Sequence, residues 1–262
     1  MEKIYQVDAF TSEEFKGNPA GVVIQTKARS AEWMLLMAKE MNLSETAFLL
    51  KQGNEYNLRW FTPAVEVDLC GHATLASAHV LFSEGYLKQH DTAIFNTASG
   101  ELRAKYQEGW IELDFPAFQV AAVEVTKKIE NALGFSPAMA FTSDVNLLVE
   151  MDKLDGVKNY LPKFRELESL PYQGLIITSR GKEGDYDFIS RYFAPQVGIH
   201  EDPVTGSAHC SLAPYWAERL NKKEFLAYQA SERGGVLKVK LANDRVLIQG
   251  QAVTIFTGCL SV

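Results

Sequence analysis

The apolar positions along the chain change period several times, and the period separates predicted helices from predicted strands. Trp33, Met34, Met37 and Met41 recur at helical spacing, and Ser30 is placed to cap a helix that runs to Asn42. From residue 54 to 62 the pattern alternates. Tyr56, Leu58 and Trp60 share one face of a predicted strand, and Pro63 ends it. Residues 71–82 follow neither pattern, because Ala73, Leu75, Ala76, Ala78, Val80 and Leu81 leave no polar side. A helix of that kind, stopped here by Gly85, belongs inside a domain, wrapped by a sheet. Further strands are predicted at 94–95, 101–106 and 110–115. The second half predicts strands at 175–178, 186–193, 236–241 and 245–255, and a helix from about 206 to 220. Pro214 falls inside that helix and should kink it or delay its start.

The two halves resemble each other. Ala9-Phe10-Thr11-Ser12 recurs as Ala140-Phe141-Thr142-Ser143, an offset of 140 − 9 = 131, which is half of 262. Arg59-Trp60-Phe61-Thr62-Pro63 is echoed by Arg191-Tyr192-Phe193-Ala194-Pro195 at 191 − 59 = 132, and Val65 and Val67 match Val197 and Ile199. Gly71-His72-Ala73 corresponds to Gly206-Ser207-Ala208, and Ala98-Ser99 to Ala230-Ser231. Ordered matches at nearly constant offset predict a tandem duplication, with one repeat over 1–120 and another over 130–262, related by a pseudo-two-fold axis. The strand-rich tail of each half lacks the strand–helix alternation of a parallel doubly wound sheet, so the expected class is α+β.

Composition narrows the function without naming it. Lys and Arg number 26 against 33 Asp and Glu, a net charge of −7, and this acidic balance argues against a nucleic-acid partner. No run of the sequence approaches the roughly 18 uninterrupted apolar residues of a membrane span, and the first eight residues lack the apolar core of a signal peptide. Cys70, Cys210 and Cys259 are odd in number and widely spaced, which fits a reduced, cytoplasmic protein better than a disulfide framework.

Two runs carry the candidate chemistry. Asp68-Leu69-Cys70-Gly71-His72-Ala73-Thr74 and Glu201-Asp202-Pro203-Val204-Thr205-Gly206-Ser207 each enter a predicted helix through a glycine, which brings backbone N–H groups close to a ligand. Two such helix starts facing one cleft would hold a carboxylate-bearing metabolite. As plain capped helix starts, the same runs would serve packing alone. Glu45 lies between a helix end and the apolar run Ala47-Phe48-Leu49-Leu50, where apolar surroundings would suit a proton-transfer carboxyl, although an edge glutamate in solvent has the same sequence. His72 and His79 are spaced to share a helix face, with His79 read as a core residue, His90 as a loop residue, and His200 and His209 flanking Asp202. Neither HExxH nor paired CxxC occurs, so a metal site is not expected. Ser207 lacks the glycines of a nucleophile elbow, and nucleotide cofactors have no GxGxxG or P-loop signature.

The runs Val7-Asp8-Ala9-Phe10-Thr11, Gly17-Asn18-Pro19-Ala20-Gly21-Val22, Ser44-Glu45-Thr46-Ala47-Phe48, Arg59-Trp60-Phe61-Thr62-Pro63, Leu69-Cys70-Gly71-His72-Ala73-Thr74 and Asp202-Pro203-Val204-Thr205-Gly206-Ser207-Ala208 resemble, in order, the PhzF-type isomerases of the phenazine-biosynthesis-like family, within the diaminopimelate-epimerase-like fold. The resemblance covers essentially the whole chain. It implies two similar α+β domains, each a curled mixed sheet around a central helix, with the site in the cleft between them. It implies cofactor-independent isomerisation with Glu45 as general acid/base, and Gly71, His72, Asp202, Gly206 and Ser207 as substrate-binding or proton-relaying partners. Asn18 lines the cleft in the wider fold class. A homodimer is also implied, and no particular substrate is. Epimerases of this fold carry a cysteine before the helix-starting glycine in each half; here Cys70 keeps that position and Thr205 replaces the other. A two-base racemase or epimerase, and a non-catalytic carboxylate-binding protein, remain the alternatives.

Overall fold

Strand Asn18–Gln25 pairs antiparallel with Lys3–Ala9 and parallel with Glu45–Gln52, and the parallel crossover is made by the helix Ala31–Met41. Strand Glu55–Phe61 then pairs antiparallel with Glu45–Gln52 and with the short Glu66–Val67, and parallel with Thr92–Thr97. Thr92–Thr97, Gly100–Gln107 and Trp110–Pro116 continue as an antiparallel meander. The structure, a computed structural model, describes residues 1–182 and 184–261. It is α+β, and it divides into two units, Met1–Asp114 with Ile248–Val262, and Phe115–Leu247.

The second unit repeats the same pairing order. Asn146–Glu150 runs parallel to Gly174–Arg180, which is antiparallel to Phe188–Ala194. That strand pairs antiparallel with Ile199–Asp202 and parallel with Glu224–Gln229, which is antiparallel to Gly235–Ala242. Side chains repeat too. Arg59 forks onto Glu66 at 2.6 and 2.7 Å while its guanidinium lies over Phe61, and Arg191 forks onto Glu201 at 2.6 and 2.8 Å over Phe193.

The unit boundaries are discontinuous, unlike the expected division at 1–120 and 130–262. Strand Ala252–Cys259, from the end of the second repeat, pairs antiparallel with Lys3–Ala9 in the first unit. Val120–Val123, from the end of the first repeat, pairs antiparallel with Ala140–Ser143 in the second unit. Each unit is completed by the last strand of the other repeat. A strand's alternation records that it has a buried face but not which edge it joins.

Each unit is built around one helix. Gly71–Ser83 packs against the strands Lys3–Ala9, Asn18–Gln25, Glu45–Gln52 and Ala252–Cys259, and all of His72–Ala78 and Val80–Phe82 is buried. Small side chains let the strands approach it, and its hydroxyls are satisfied within the helix: Thr74 donates to the Cys70 carbonyl at 2.6 Å and Ser77 to that of Ala73 at 2.7 Å. In the second unit the helix Gly206–Leu220 buries Trp216, whose Nε1 donates to Thr178 Oγ1 at 3.0 Å and whose ring stacks on Phe188 at 5.7 Å. Its start is not delayed by Pro214. The carbonyl that Pro214 leaves without its helical donor, that of Cys210, accepts from the Phe118 N–H at 3.0 Å instead.

Helix Ala31–Met41 sits where its pattern predicts. Ser30 caps it by accepting from the Trp33 N–H at 3.2 Å, and Asn42 ends it in the left-handed conformation. Met34 and Ala38 pack there with Phe48 and Phe61. The predicted strand 245–255 is two strands, Arg245–Gly250 and Ala252–Cys259, broken at Gln251, whose carbonyl accepts from the Thr11 N–H at 3.1 Å.

Candidate active site

Glu45 is the first residue of its strand, opposite Ala20 in the parallel pairing. The turn that leads into the neighbouring strand is fixed by Gly17, whose φ is +64° and whose place admits no Cβ because the Ala9 carbonyl lies against it. Asn18, which follows, is fully buried. Glu45 is buried as well, and its Oε2 lies 3.3 Å from Nε2 of His72 on the first turn of the helix Gly71–Ser83. His72 Nδ1 is 3.4 Å from the Cys70 sulfur. Carboxyl, imidazole and thiol therefore form a compact cluster, in which one donor atom from each lies within 4.8 Å of the others.

Burial pushes the His72 pKa down to about 3, so its ring is neutral at physiological pH and carries one N–H. A neutral imidazole is donor on one nitrogen and acceptor on the other, so it can face Glu45 in either protonation state while the Cys70 contact reverses direction.

The second unit gathers Asp202, Thr205 and Gln229. Thr205 Oγ1 donates to Asp202 Oδ2 at 2.5 Å, and Gln229 Oε1 accepts from the Thr205 N–H at 2.8 Å. Gln229 Nε2 donates to the Asp202 carbonyl at 2.7 Å and to Thr205 Oγ1 at 3.1 Å. Gly206 is buried as the first helical residue, and Ser207 beside it is exposed. Ser231 closes the same loop by donating to the Pro203 carbonyl at 2.8 Å. Gln229 went unnoticed in the sequence, because a glutamine on a strand has no chemical signature of its own.

The two central helices lack the side-chain caps that two of the peripheral helices carry at their first turn. Ser30 and Thr126 cap the helices Ala31–Met41 and Lys127–Leu133 with their side chains. Neither Cys70 nor Thr205 does so. Thr205 has the right chemistry for a cap but gives its hydroxyl to Asp202, so the N–H groups of these two helix starts are left to other partners.

The remaining histidines sit apart from these groups. His79 Nε2 is 3.0 Å from Thr254 Oγ1, and burial lowers its pKa against the opposing pull of Glu84. His200 stacks on Phe164 at 4.3 Å, and His90 is exposed beside Asp91. His209 is fully buried in the second core, with Nδ1 2.8 Å from the Thr205 carbonyl. The Cys210 thiol is pushed up to about 12 by burial and donates to the Gly206 carbonyl at 3.8 Å.

The model of the phenazine biosynthesis-like protein family, PhzC-PhzF, matches residues 7–258. An uncharacterized isomerase of Halalkalibacterium halodurans is 52% identical over 253 residues, covering 96% of each chain. An uncharacterized isomerase of Pseudomonas aeruginosa is 48% identical over 256 residues, covering 98% of this chain and 97% of that one. A PhzF-family crystal structure from Enterococcus faecalis superposes with a TM-score of 0.95 at 42% identity, covering 100% of this chain and 99% of that one. Duplicated α+β units of this kind, with relatives named as isomerases, define the enzyme class as isomerase. The chain belongs to the phenazine biosynthesis-like family. Among the described residues, no helix is long and apolar enough to cross a membrane.

Proposed function

We propose that this isomerase works without a cofactor, moving a proton on a small carboxylate-bearing metabolite with Glu45 as general acid/base. The observation that carries the reading is the 3.3 Å approach of Glu45 Oε2 to a buried, neutral His72. A carboxyl that alternates between acid and base needs a neighbour that tolerates both forms, and a neutral imidazole does so by exchanging which nitrogen holds its proton. In one turnover Glu45 first takes a proton from a substrate carbon next to a carboxylate and then, as the acid so formed, gives a proton to a second position.

The uncapped helix starts at Gly71 and Gly206 support the substrate class, since first-turn N–H groups and the helix dipole favour an anion. His72 and Asp202, with Gly71, Gly206 and Ser207, are the binding or relaying partners in this reading. A two-thiol epimerisation is disfavoured, because Thr205 stands at the second thiol position and the Cys210 thiol is buried and bonded within its helix. The free thiols of Cys70, Cys210 and Cys259 support a reducing compartment, the cytoplasm.

The test is a screen of small carboxylates for thermal stabilisation, since a ligand at 100 times its dissociation constant adds about 2.7 kcal/mol. Stabilising compounds are then incubated in deuterated water. Deuterium should enter a carbon near the carboxylate with the wild type and fail to enter with Glu45→Gln, while stabilisation persists. Exchange that survives Glu45→Gln would refute the reading.

A further inference from the structure

Phe82 and Tyr106 wall a pocket of about 290 Å³ at the C-terminal end of the helix Gly71–Ser83, their ring centroids 5.8 Å apart and the rings tilted by 48°. The last turns of the helix also supply His79 and Ser83. Tyr106 and Ile111 come from the hairpin strands Gly100–Gln107 and Trp110–Pro116, and Ala252 from the exchanged strand. All of these lie in the first unit. At the rim stands Gly109, with φ +84°; the nearest atom to the place a Cβ would take, Gln251 Nε2, is 3.8 Å away, so the turn leaves the pocket open. His79 is seven residues beyond His72, about 10 Å along the helix axis at about 1.5 Å per residue. We propose that this pocket binds an uncharged planar molecule with an amide or lactam edge, at a site separate from the Glu45–His72 pair.

The lining selects the occupant. None of the lining residues is Lys, Arg, Asp or Glu. Burial lowers the His79 pKa more than Glu84 raises it, so the ring is neutral at physiological pH. A charged ligand would lose hydration here and find no counter-ion. Hydrogen-bonding groups are plentiful. Among the described residues, the side chains of Ser83, Gln89 and Tyr106 have no hydrogen-bond partner, and His79 bonds only through Nε2, which is 3.0 Å from Thr254 Oγ1. A hydroxyl donates or accepts, so Thr254 allows either tautomer of His79, and Nδ1 can meet a donor or an acceptor. An amide or lactam edge presents one of each. Phe82 and Ile111, both buried, and the Tyr106 ring offer a flat ligand apolar surface beside these polar groups. Apolar walls with a few convergent polar groups are the usual make-up of a small-molecule site.

The experiment titrates the nitrogen-15-labelled full chain with benzamide and, separately, with benzoate, which has the same shape and a negative charge, and follows amide resonances by NMR. Benzamide should give saturable shifts of the Gly109 N–H and the Gln89 side-chain amide, and benzoate should bind there at least tenfold more weakly. Ser83→Trp, at an exposed position on the last turn of the helix, should fill the pocket and weaken benzamide at least tenfold. His79→Phe keeps an aromatic ring, removes both nitrogens and should weaken it as much; if that variant fails to fold, Ser83→Trp decides alone. Glu45→Gln should leave benzamide binding unchanged, so this site and the acid/base reading stand or fall separately. No saturable shift at these residues, equal binding of benzoate, or benzamide binding undiminished in either folded pocket variant overturns the proposal.

Discussion

Cys70 and Thr205 occupy equivalent backbone positions, each the extended residue immediately before the glycine that starts its unit's central helix. Their backbone angles are −144°, 110° and −111°, 100°, and neither caps the helix with its side chain. The equivalence carries a chemical difference. Cys70 faces His72, while the Thr205 hydroxyl is committed to Asp202. A hydroxyl cannot exchange protons with carbon near neutral pH as a thiol can, so of the two equivalent positions the first carries a titratable group and the second a structural hydrogen bond.

The paired arginines make the first prediction. Arg59 and Arg191 both fork onto a glutamate, but the Arg59 side chain is 31% exposed and that of Arg191 is 12% exposed. Arg191 Nη1 also donates to the carbonyls of Val157, Lys158 and Tyr160, at 3.2, 3.3 and 2.8 Å. Arg59→Ala should cost no more than about 1 kcal/mol, as for a surface ion pair. Arg191→Ala should cost about 3 kcal/mol, because it strips partners from a part-buried chain segment. Urea unfolding of the two variants checks the order; equal losses would contradict it.

What could be read in the sequence was whatever one segment records about its own environment. The central helices were legible because Ala73–Leu81 leaves no polar face and a glycine marks each start. The first helix was legible through Ser30 and its methionines. Pairing partners were not, because a strand's residues fix its buried face and not its neighbour; this hid the exchange of last strands. The Glu45–Cys70–His72 trio was half legible. Cys70 and His72 are two residues apart, but Glu45 arrives from another strand, so no ligand spacing announced the cluster. Pro214 misled because the donor that serves the Cys210 carbonyl, Phe118, lies far away in sequence.

Two buried histidines predict an acid sensitivity. Burial lowers His72 to about 3 and His209 to about 4, below the ordinary value near 6.5 that each regains on unfolding. Between about pH 6.5 and 4 the unfolded chain binds a proton at each histidine that the folded chain refuses. Their stabilisation is present above pH 6.5 and is lost as pH falls, at about 1.4 kcal/mol per pH unit per histidine. His209→Gln should reduce the slope of unfolding free energy against pH by about that amount. An unchanged slope would mean that His209 is charged in the folded state.

Gln229 should behave as a structural clasp. It is fully buried and joins the Thr205 N–H, the Thr205 hydroxyl and the Asp202 carbonyl. Gln229→Ala removes the acceptor of the buried Thr205 N–H and a donor to the Asp202 carbonyl; losing a buried partner costs about 1–3 kcal/mol, so a loss of about 2–5 kcal/mol is expected. Gln229→Glu keeps an acceptor for the Thr205 N–H but loses the donor to the Asp202 carbonyl and sets a second carboxylate near Asp202. It should be destabilised at pH 7 and partly recover as pH falls. Denaturant midpoints at two pH values distinguish the two variants, and a Gln229→Ala protein as stable as wild type would rule the clasp out.

The proton-transfer reading makes the sharpest ranking. Glu45→Gln keeps the size and burial of the side chain but cannot cycle a proton, so turnover should fall by roughly a hundredfold or more, the usual scale for a general acid/base. Cys70→Ser keeps a hydrogen-bonding group beside His72 Nδ1 and should cost turnover far less. His72→Asn should fall between them, because an amide can contact Glu45 but cannot trade one nitrogen's proton for the other's. Initial rates with the substrate found in the carboxylate screen check the order, and unfolding midpoints separate it from loss of fold. If Cys70→Ser is the more damaging change, or if solvent deuterium enters with inversion of a stereocentre, the thiol is a base in its own right and the reaction is an epimerisation.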